Sequence, residues 1–259
     1  MKTNFNYHTH TALCGHAEGS MEEYVKRAIE GGITHMGFSD HSPYVFLDGH
    51  ESVFRVPVAK AEEYTSEITA LKRKYKDKID IKIGFEMEYY PTHFERMLET
   101  AKKAGAEYLI LGQHYLDDEI PEQRHVFFAE TEDVGFLKEY VSCIISAVES
   151  GVFTYVAHPD MITFNGDKDV YSKEMQKICK ASKKHNIPLE INFQGLRNDR
   201  SYPNEAFWKI AGEEQCPVTV GFDAHSVYAA YDEKSLDAAE KIIEKYNLNY
   251  IGKPHLILL

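Results

Sequence analysis

Histidine and carboxylate side chains recur along this 259-residue chain at spacings that suit metal binding. His8 and His10 form a His-x-His step, and Asp223 and His225 repeat that spacing. Because residues i and i+2 of a strand point to the same side, both members of such a pair can reach one ion. A single His-x-His step is a weak signal, so the positions of the other candidate ligands decide whether a metal site is predicted.

The hydrophobic pattern predicts the elements that must position these side chains. It switches repeatedly between the period of 2 typical of strands and the period of 3.6 typical of helices. Predicted strands cover about residues 5–8, 34–39, 79–85, 108–112, 153–157, 188–192 and 217–222, and a short one follows near the C-terminus. Predicted helices cover about residues 21–29, 58–75, 92–104, 135–149, 172–185, 203–213 and 233–246. This alternation predicts a parallel sheet, open or closed into a barrel, and no linker divides residues 1–259, so we expect a single domain.

The first predicted helix has clear boundary signals. Ser20 and Glu23 form a capping box at its start, and Gly31 and Gly32 end it. The apolar residues between them make one stripe, which predicts an amphipathic helix.

Six of the seven strands that precede a predicted helix end in, or lie just before, candidate ligands. The carboxyl ends of the strands of a parallel barrel form a single face, and active sites are built there. We therefore expect distant residues to converge on one site. The candidates are His8, His10, His16, Asp40, His41, Glu86, Glu88, His114, His158, Asp223 and His225.

Composition narrows the classes of partner. The formal net charge is −12 and no block of Lys or Arg is present, which argues against a nucleic-acid partner. No apolar run approaches the roughly 18–20 residues of a membrane span, and the N-terminus lacks the apolar segment of a signal peptide. We expect a cytoplasmic protein whose four cysteines are buried, reduced thiols. The sequence leaves the oligomeric state open.

Seven motifs, in order over nearly the whole chain, resemble the polymerase and histidinol phosphatase (PHP) family. They are HTHT, CGHA, SDHSPY, GFEMEY, GQHY, AHPD and GFDAHS. The stretch 8–44 looks especially like the histidinol-phosphatase branch. The resemblance implies a distorted seven-stranded (β/α)7 TIM-like barrel.

The resemblance also implies two to three divalent metal ions, and imidazole and carboxylate ligands suit Zn, Fe and Mn alike. One ion would take His8, His10, Glu86 and Asp223. A second would share Glu86 and add His114 and His158. A third would take His16, His41 and His225.

The implied reaction is hydrolysis of a phosphate monoester by a hydroxide that bridges two metals. In the histidinol-phosphatase branch it converts L-histidinol phosphate to L-histidinol and phosphate, in histidine biosynthesis. Besides Glu86, which is shared between two ions, Asp40 and Asp223 are candidate catalytic groups, each as a general acid. Asp40 has a rival interpretation, which we favour, as the partner that orients a ligand imidazole.

Four further residues are candidates for contact with the substrate. Arg197, in the predicted loop after the sixth strand, is the best placed for phosphate, with Arg124 and Arg55 as alternatives in other loops. Asn192 would orient a ligand or the substrate. Glu88 would face a cationic amine or solvent.

Three other classes of function stay open at this point. The first is another PHP-family phosphoesterase, either a general small-molecule phosphatase or a nuclease. The second is a non-catalytic metal-binding module. The third is a metal-dependent amidohydrolase, which normally requires a metal-binding lysine or a different ligand spacing.

Overall fold

The computed structural model describes residues 1–116, 119 and 126–259. Its ten strands are β1 (Phe5–Asn6), β2 (His35–His41), β3 (Asp80–Met87), β4 (Tyr108–Leu111), β5 (Glu130–Thr131), β6 (Phe153–Val156), β7 (Thr163–Phe164), β8 (Leu189–Asn192), β9 (Pro217–Gly221) and β10 (Asn249–Tyr250). Eight of them form one parallel sheet in the order β1–β2–β3–β4–β6–β8–β9–β10, and β5 pairs with β7.

The helices connect successive strands, as a parallel sheet requires. They are α1 (Met21–Glu30), α2 (Ala61–Tyr75), α3 (Phe94–Lys103), α4 (Val134–Ser150), α5 (Lys168–His185), α6 (Phe193–Arg197), α7 (Glu205–Glu214) and α8 (Glu233–Lys245). The predicted capping box of α1 is confirmed, since the Ser20 and Glu23 side chains each accept from the other residue's backbone N–H.

The sheet curls so that the chain following β1 meets the chain following β9. Thr9 pairs with Ala224 in a parallel bridge. The amide of His10 donates to the Ala224 carbonyl at 3.0 Å, and the Ala224 amide donates to the His8 carbonyl at 3.2 Å. This contact places the two motifs with i, i+2 spacing side by side. The expected count of seven strands is not confirmed, because β10 makes the sheet eight-stranded.

Large aromatic side chains fill the core, and glycines make room for them. Tyr108 is fully buried, and its hydroxyl donates to the carbonyl of Tyr7 at 2.8 Å. A Cβ at Gly37 would lie 2.0 Å from the Tyr108 hydroxyl oxygen, and one at Gly84 would lie 2.3 Å from its ring. Burying such a ring stabilises the fold by about 1.5–3 kcal/mol, so these glycines are required by packing.

The predicted strands of the large sheet and seven of the helices are confirmed to within a few residues. The short helix α6 and the β5–β7 pair were missed. The expectation that Arg197 lies in a loop is wrong, because Arg197 is the last residue of α6. All four cysteines are buried and free, as predicted. Among the described residues, no helix combines the length and apolar character of a membrane span.

Candidate metal centre

The nine predicted ligands converge at the carboxyl ends of the strands. Glu86, at the end of β3, lies at the centre. Its Oε2 is 3.6 Å from His8 Nε2 and 3.4 Å from His10 Nε2. Asp223 Oδ1, just beyond β9, is 3.6 Å and 3.3 Å from the same two nitrogens. Two imidazoles and two carboxylates therefore surround one point.

The other oxygen of Glu86 faces a second pair of imidazoles. Glu86 Oε1 lies 2.8 Å from His158 Nε2 and 3.7 Å from His114 Nε2. A carboxylate with imidazoles at both oxygens has the geometry of a group that bridges two cations.

A third cluster consists of imidazoles, in which the ligand nitrogens of His10, His16, His41 and His225 lie within 4.8 Å of one another. The rings of His10 and His225 stack with centroids 4.0 Å apart. His41 Nδ1 is also 3.4 Å from Glu86 Oε2. The three ligand sets therefore adjoin one another, and their division among individual ions stays a prediction.

Several buried atoms of this cluster lack a hydrogen-bond partner among the described residues. Four of them are His8 Nε2, His10 Nε2, His41 Nδ1 and Asp223 Oδ1, and a fifth is His158 Nδ1. Unpartnered buried polar atoms are costly and rare in folded proteins. These four face the positions at which a divalent cation would take imidazole and carboxylate ligands, so the donor set fits a metal site.

Carboxylates behind the cluster orient its imidazoles. Glu190 Oε1 lies 2.8 Å from His8 Nδ1, and Glu88 Oε1 lies 2.7 Å from His114 Nδ1. A carboxylate on Nδ1 fixes the ring and leaves Nε2 to a metal. Glu190 was not among the residues predicted from the sequence. The signal was its position in β8, since Glu190 and Asn192 are two residues apart and point to the same side.

Asp40 lies against the candidate ligand His10 and does not line the pocket above the cluster. Its Oδ1 is 3.3 Å from His10 Nδ1, and its Oδ2 accepts from the Thr11 amide at 3.0 Å. The Thr11 hydroxyl also donates to Asp40, whose Oδ1 accepts from the His41 amide. Asp40 is fully buried behind His10, which argues against it as a general acid in contact with substrate.

Two glycines leave space for the central carboxylates. A Cβ at Gly112, just after β4, would lie 1.9 Å from Glu86 Oε1. A Cβ at Gly221, at the end of β9, would lie 1.6 Å from Glu190 Oε1. In each case the glycine on one strand accommodates the glutamate of the neighbouring strand.

The imidazoles keep the central carboxylates ionised. Burial alone would raise the pKa of Glu86, but the neighbouring His114 and His8 hold that pKa well below its ordinary value. Burial would likewise raise the pKa of Asp223, and His8 and His10 hold it well below its ordinary value. Both groups are therefore anions, the form that binds a cation.

Two imidazoles of the third cluster are held neutral. Burial lowers the pKa of His41 well below its usual value, and His10 acts in the same direction. Burial, with a contribution from His10, lowers the pKa of His225 to about 4. A neutral imidazole is the form that ligates a metal.

The predicted substrate contacts stay predictions, and three of these residues have protein partners in the structure. Arg197 Nη2 donates to the carbonyls of Phe222 and Asp223 at 2.6 and 2.8 Å, so it holds the backbone. Glu88 faces neither solvent nor an amine, because it is fully buried. Asn192 Nδ2 donates to Asp223 Oδ2 at 3.0 Å and so orients a ligand.

Of the two alternative arginines, the structure describes one. Arg55 is buried and paired with Glu88, which withdraws it from any substrate. Arg124 lies outside the described residues.

A pocket of about 400 Å³ opens above the cluster. Its lining includes seven of the nine candidate ligands, together with Phe54, Tyr115 and Met161. Arg200 also lines it, and Arg200 Nη1 donates to the Tyr202 hydroxyl at 3.2 Å. Arg200 was missed because it lies three residues beyond the arginine that the sequence favoured, past the unpredicted helix α6.

The family model of the PHP domain matches residues 6–194, that is 189 of the 259 residues. The chain belongs to the PHP domain family. The matched PHP region contains seven of the nine candidate ligands, and Asp223 and His225 lie beyond it.

Curated PHP relatives match over most of their length. A protein of Deinococcus radiodurans named probable histidinol-phosphatase is 28% identical over 84% of this chain and 85% of its own. The histidinol-phosphatase of Lactococcus lactis is 25% identical, covering 93% and 90%. That of Bacillus subtilis is 23% identical, covering 84% and 92%.

A solved structure shares the fold of this chain. It is the histidinol phosphate phosphatase of Lactococcus lactis in complex with Zn, L-histidinol and phosphate. The TM-score is 0.70 at 20% identity, and 96% of each chain is covered. The α/β architecture with a curled parallel sheet is therefore common to both proteins.

Proposed function

We propose that this PHP protein is a metal-dependent phosphomonoesterase that hydrolyses L-histidinol phosphate to L-histidinol and phosphate. The observation that carries the proposal is the cluster of seven imidazoles and two carboxylates beneath a pocket with an arginine at its side. The relatives named histidinol-phosphatase support the choice of substrate.

The residues that would hold two to three divalent cations are His8, His10, His16, His41, Glu86, His114, His158, Asp223 and His225. When bound, such ions lower the pKa of a water molecule and neutralise the oxygens of phosphate. Zn, Fe and Mn all suit this donor set. The Lactococcus lactis enzyme, which was crystallised with Zn, favours Zn.

The chain's own side chains would then place the phosphate ester. Arg200 would pair with a phosphate oxygen, because its guanidinium lines the pocket and phosphate favours bidentate donors. Phe54 and Tyr115, with ring centroids 5.0 Å apart, offer an aromatic wall for a planar leaving group. Asp223 would act as a ligand, since its lowered pKa makes it a poor proton donor at neutral pH.

We also propose that residues 1–259 form a single domain whose first seven strands in the large sheet make a distorted barrel. The bridge between Thr9 and Ala224 supports closure. Cytoplasmic residence is consistent with four cysteines that form no disulfide among the described residues.

A panel of substrates tests this function. We expect kcat/KM for L-histidinol phosphate to exceed that for glycerol phosphate and sugar phosphates by at least about tenfold. This ratio corresponds to about 1.4 kcal/mol of difference in transition-state stabilisation. Equal values across the panel would identify a general phosphatase. Cleavage of DNA that weakens steeply with salt would identify a nuclease.

A further inference from the structure

A buried guanidinium lies beside the metal cluster, and its donors are already engaged. Arg55 is 2% exposed. Its Nη2 donates to both Glu88 and Glu119, its Nε donates to Glu119 Oε2 at 3.0 Å, and its Nη1 donates to the Ser42 carbonyl at 2.9 Å. Because all three guanidinium nitrogens donate to protein acceptors, Arg55 has a structural role in the interior and is not available to bind a ligand.

The two carboxylates that pair with the Arg55 guanidinium have different second partners. Glu88 Oε2 faces Arg55, while Glu88 Oε1 lies 2.7 Å from Nδ1 of the candidate ligand His114. Glu119 Oε1 instead accepts from the Tyr90 hydroxyl at 2.7 Å. Within the part of the chain that the structure describes, Glu88 is therefore the side chain that joins Arg55 to the metal cluster, while Nη1 reaches the backbone next to His41.

The buried negative charge of Glu88 explains why a cation must lie beside this carboxylate. Glu88 is 0% exposed, and an ionised carboxylate is tolerated in the interior only when a paired cation and hydrogen bonds compensate it. Arg55 provides both at Oε2. The opposite oxygen can then accept from His114 Nδ1–H, which leaves Nε2 to face Glu86 Oε1 at 3.7 Å.

We infer that Arg55 is a positioning residue for the metal centre: through Glu88 it fixes the ring of His114 so that Nε2 points to the cation position beside Glu86. This inference rests on the proposed metal-dependent function. It concerns the affinity of one metal position and is independent of the identity of the substrate.

The first test compares two glutamates that share the same arginine. Metal-free protein is titrated with Zn²⁺ against a competing chelator, and the melting temperature of each metal-free variant is recorded. We expect Glu88→Gln to raise the dissociation constant of one zinc position about 10–100-fold. Glu119→Gln should leave it as in the wild type. Equal weakening by both substitutions, or a lowered melting temperature with unchanged zinc affinity in Glu88→Gln, would overturn the inference.

The second test asks whether Arg55 acts through Glu88. Loss of Arg55 alone would leave two buried carboxylates without a cation, so Arg55→Met is made with Glu119→Gln already present. There we expect a further loss of zinc affinity of about tenfold, within the range for such orienting groups. With Glu88→Gln and Glu119→Gln both present, Arg55→Met should add no further loss. Equal losses in both backgrounds would show that Arg55 does not act through Glu88.

Measurements on the wild-type protein distinguish failure of this inference from failure of the proposed function on which it rests. Wild-type protein that binds no Zn²⁺ would overturn the metal site and the inference together. Wild-type protein that binds Zn²⁺ and hydrolyses the ester, with every variant binding Zn²⁺ equally well, would overturn the inference alone.

Discussion

Arg197 and Arg200 lie three residues apart, but their surroundings assign them different roles. Arg197 holds the carbonyls of Phe222 and Asp223, whereas Arg200 lines the pocket. A sequence shows that an arginine is near a strand end, but it does not show whether backbone carbonyls will take its donors. The metal-type residues at or just beyond strand ends were easier to predict, because that position already determines which end of the sheet they reach.

A pair of substitutions separates the two arginines. We expect Arg200→Gln to raise KM and the inhibition constant of inorganic phosphate about tenfold, since it removes a charge-assisted hydrogen bond of about 1.5–3 kcal/mol. Its melting temperature should stay unchanged. We expect Arg197→Gln to lower the free energy of unfolding by about 1.5–3 kcal/mol. Steady-state kinetics and urea unfolding measure the two effects, and the reverse pattern would refute the assignment.

We expect the loss of Glu190 to weaken metal binding almost as much as the loss of a metal ligand would. Glu190 is fully buried and orients His8 through Nδ1. We expect Glu190→Gln to weaken metal binding or kcat/KM about 10–100-fold, as measured for such partners. The half-exposed Glu149 provides the matched control, Glu149→Gln, which should behave as the wild type. Wild-type metal affinity in Glu190→Gln would remove Glu190 from the site.

At the scale of elements, the succession of strands and helices along the chain was predictable, and the fit between neighbouring strands was not. Period-2 and period-3.6 patterns predicted the large sheet and most helices, because those patterns follow from which face is buried. The five-residue helix α6 is too short to show a period, and it carries Arg197 away from the pocket. That Gly112 accommodates Glu86 depends on the register between β3 and β4, which a single sequence does not reveal.

Gly112→Ala tests this fit between neighbouring strands. The new methyl carbon would lie 1.9 Å from Glu86 Oε1, so the carboxylate must move. Overpacking of this kind costs about 1–3 kcal/mol, and we expect a loss of zinc affinity of about tenfold. At Gly135 a methyl group would meet only the exposed cap residue Asp133, at 3.0 Å, so Gly135→Ala is the control. Unchanged zinc affinity in Gly112→Ala would contradict the described geometry.

At the scale of the whole molecule, the fold brings together residues more than 200 positions apart, such as His8 and Asp223, whose unpartnered buried atoms a cation would ligate. We expect chelation to lower the melting temperature, because a ligand that binds only the folded state contributes about 2.7 kcal/mol at 100 times its dissociation constant. Re-addition of Zn²⁺ or Mn²⁺ should restore both the melting temperature and phosphate release. A melting temperature that is indifferent to chelation would mean that the cluster holds no ion in solution.

The most direct test of the metal cluster is an anomalous difference map from crystals grown with Zn²⁺. We expect separate peaks on either side of Glu86, each about 2.0–2.2 Å from a carboxylate oxygen and an imidazole nitrogen. One peak should adjoin His8 and His10, and another His114 and His158. A map with zinc only at the protein surface, and none at Glu86, would contradict the account.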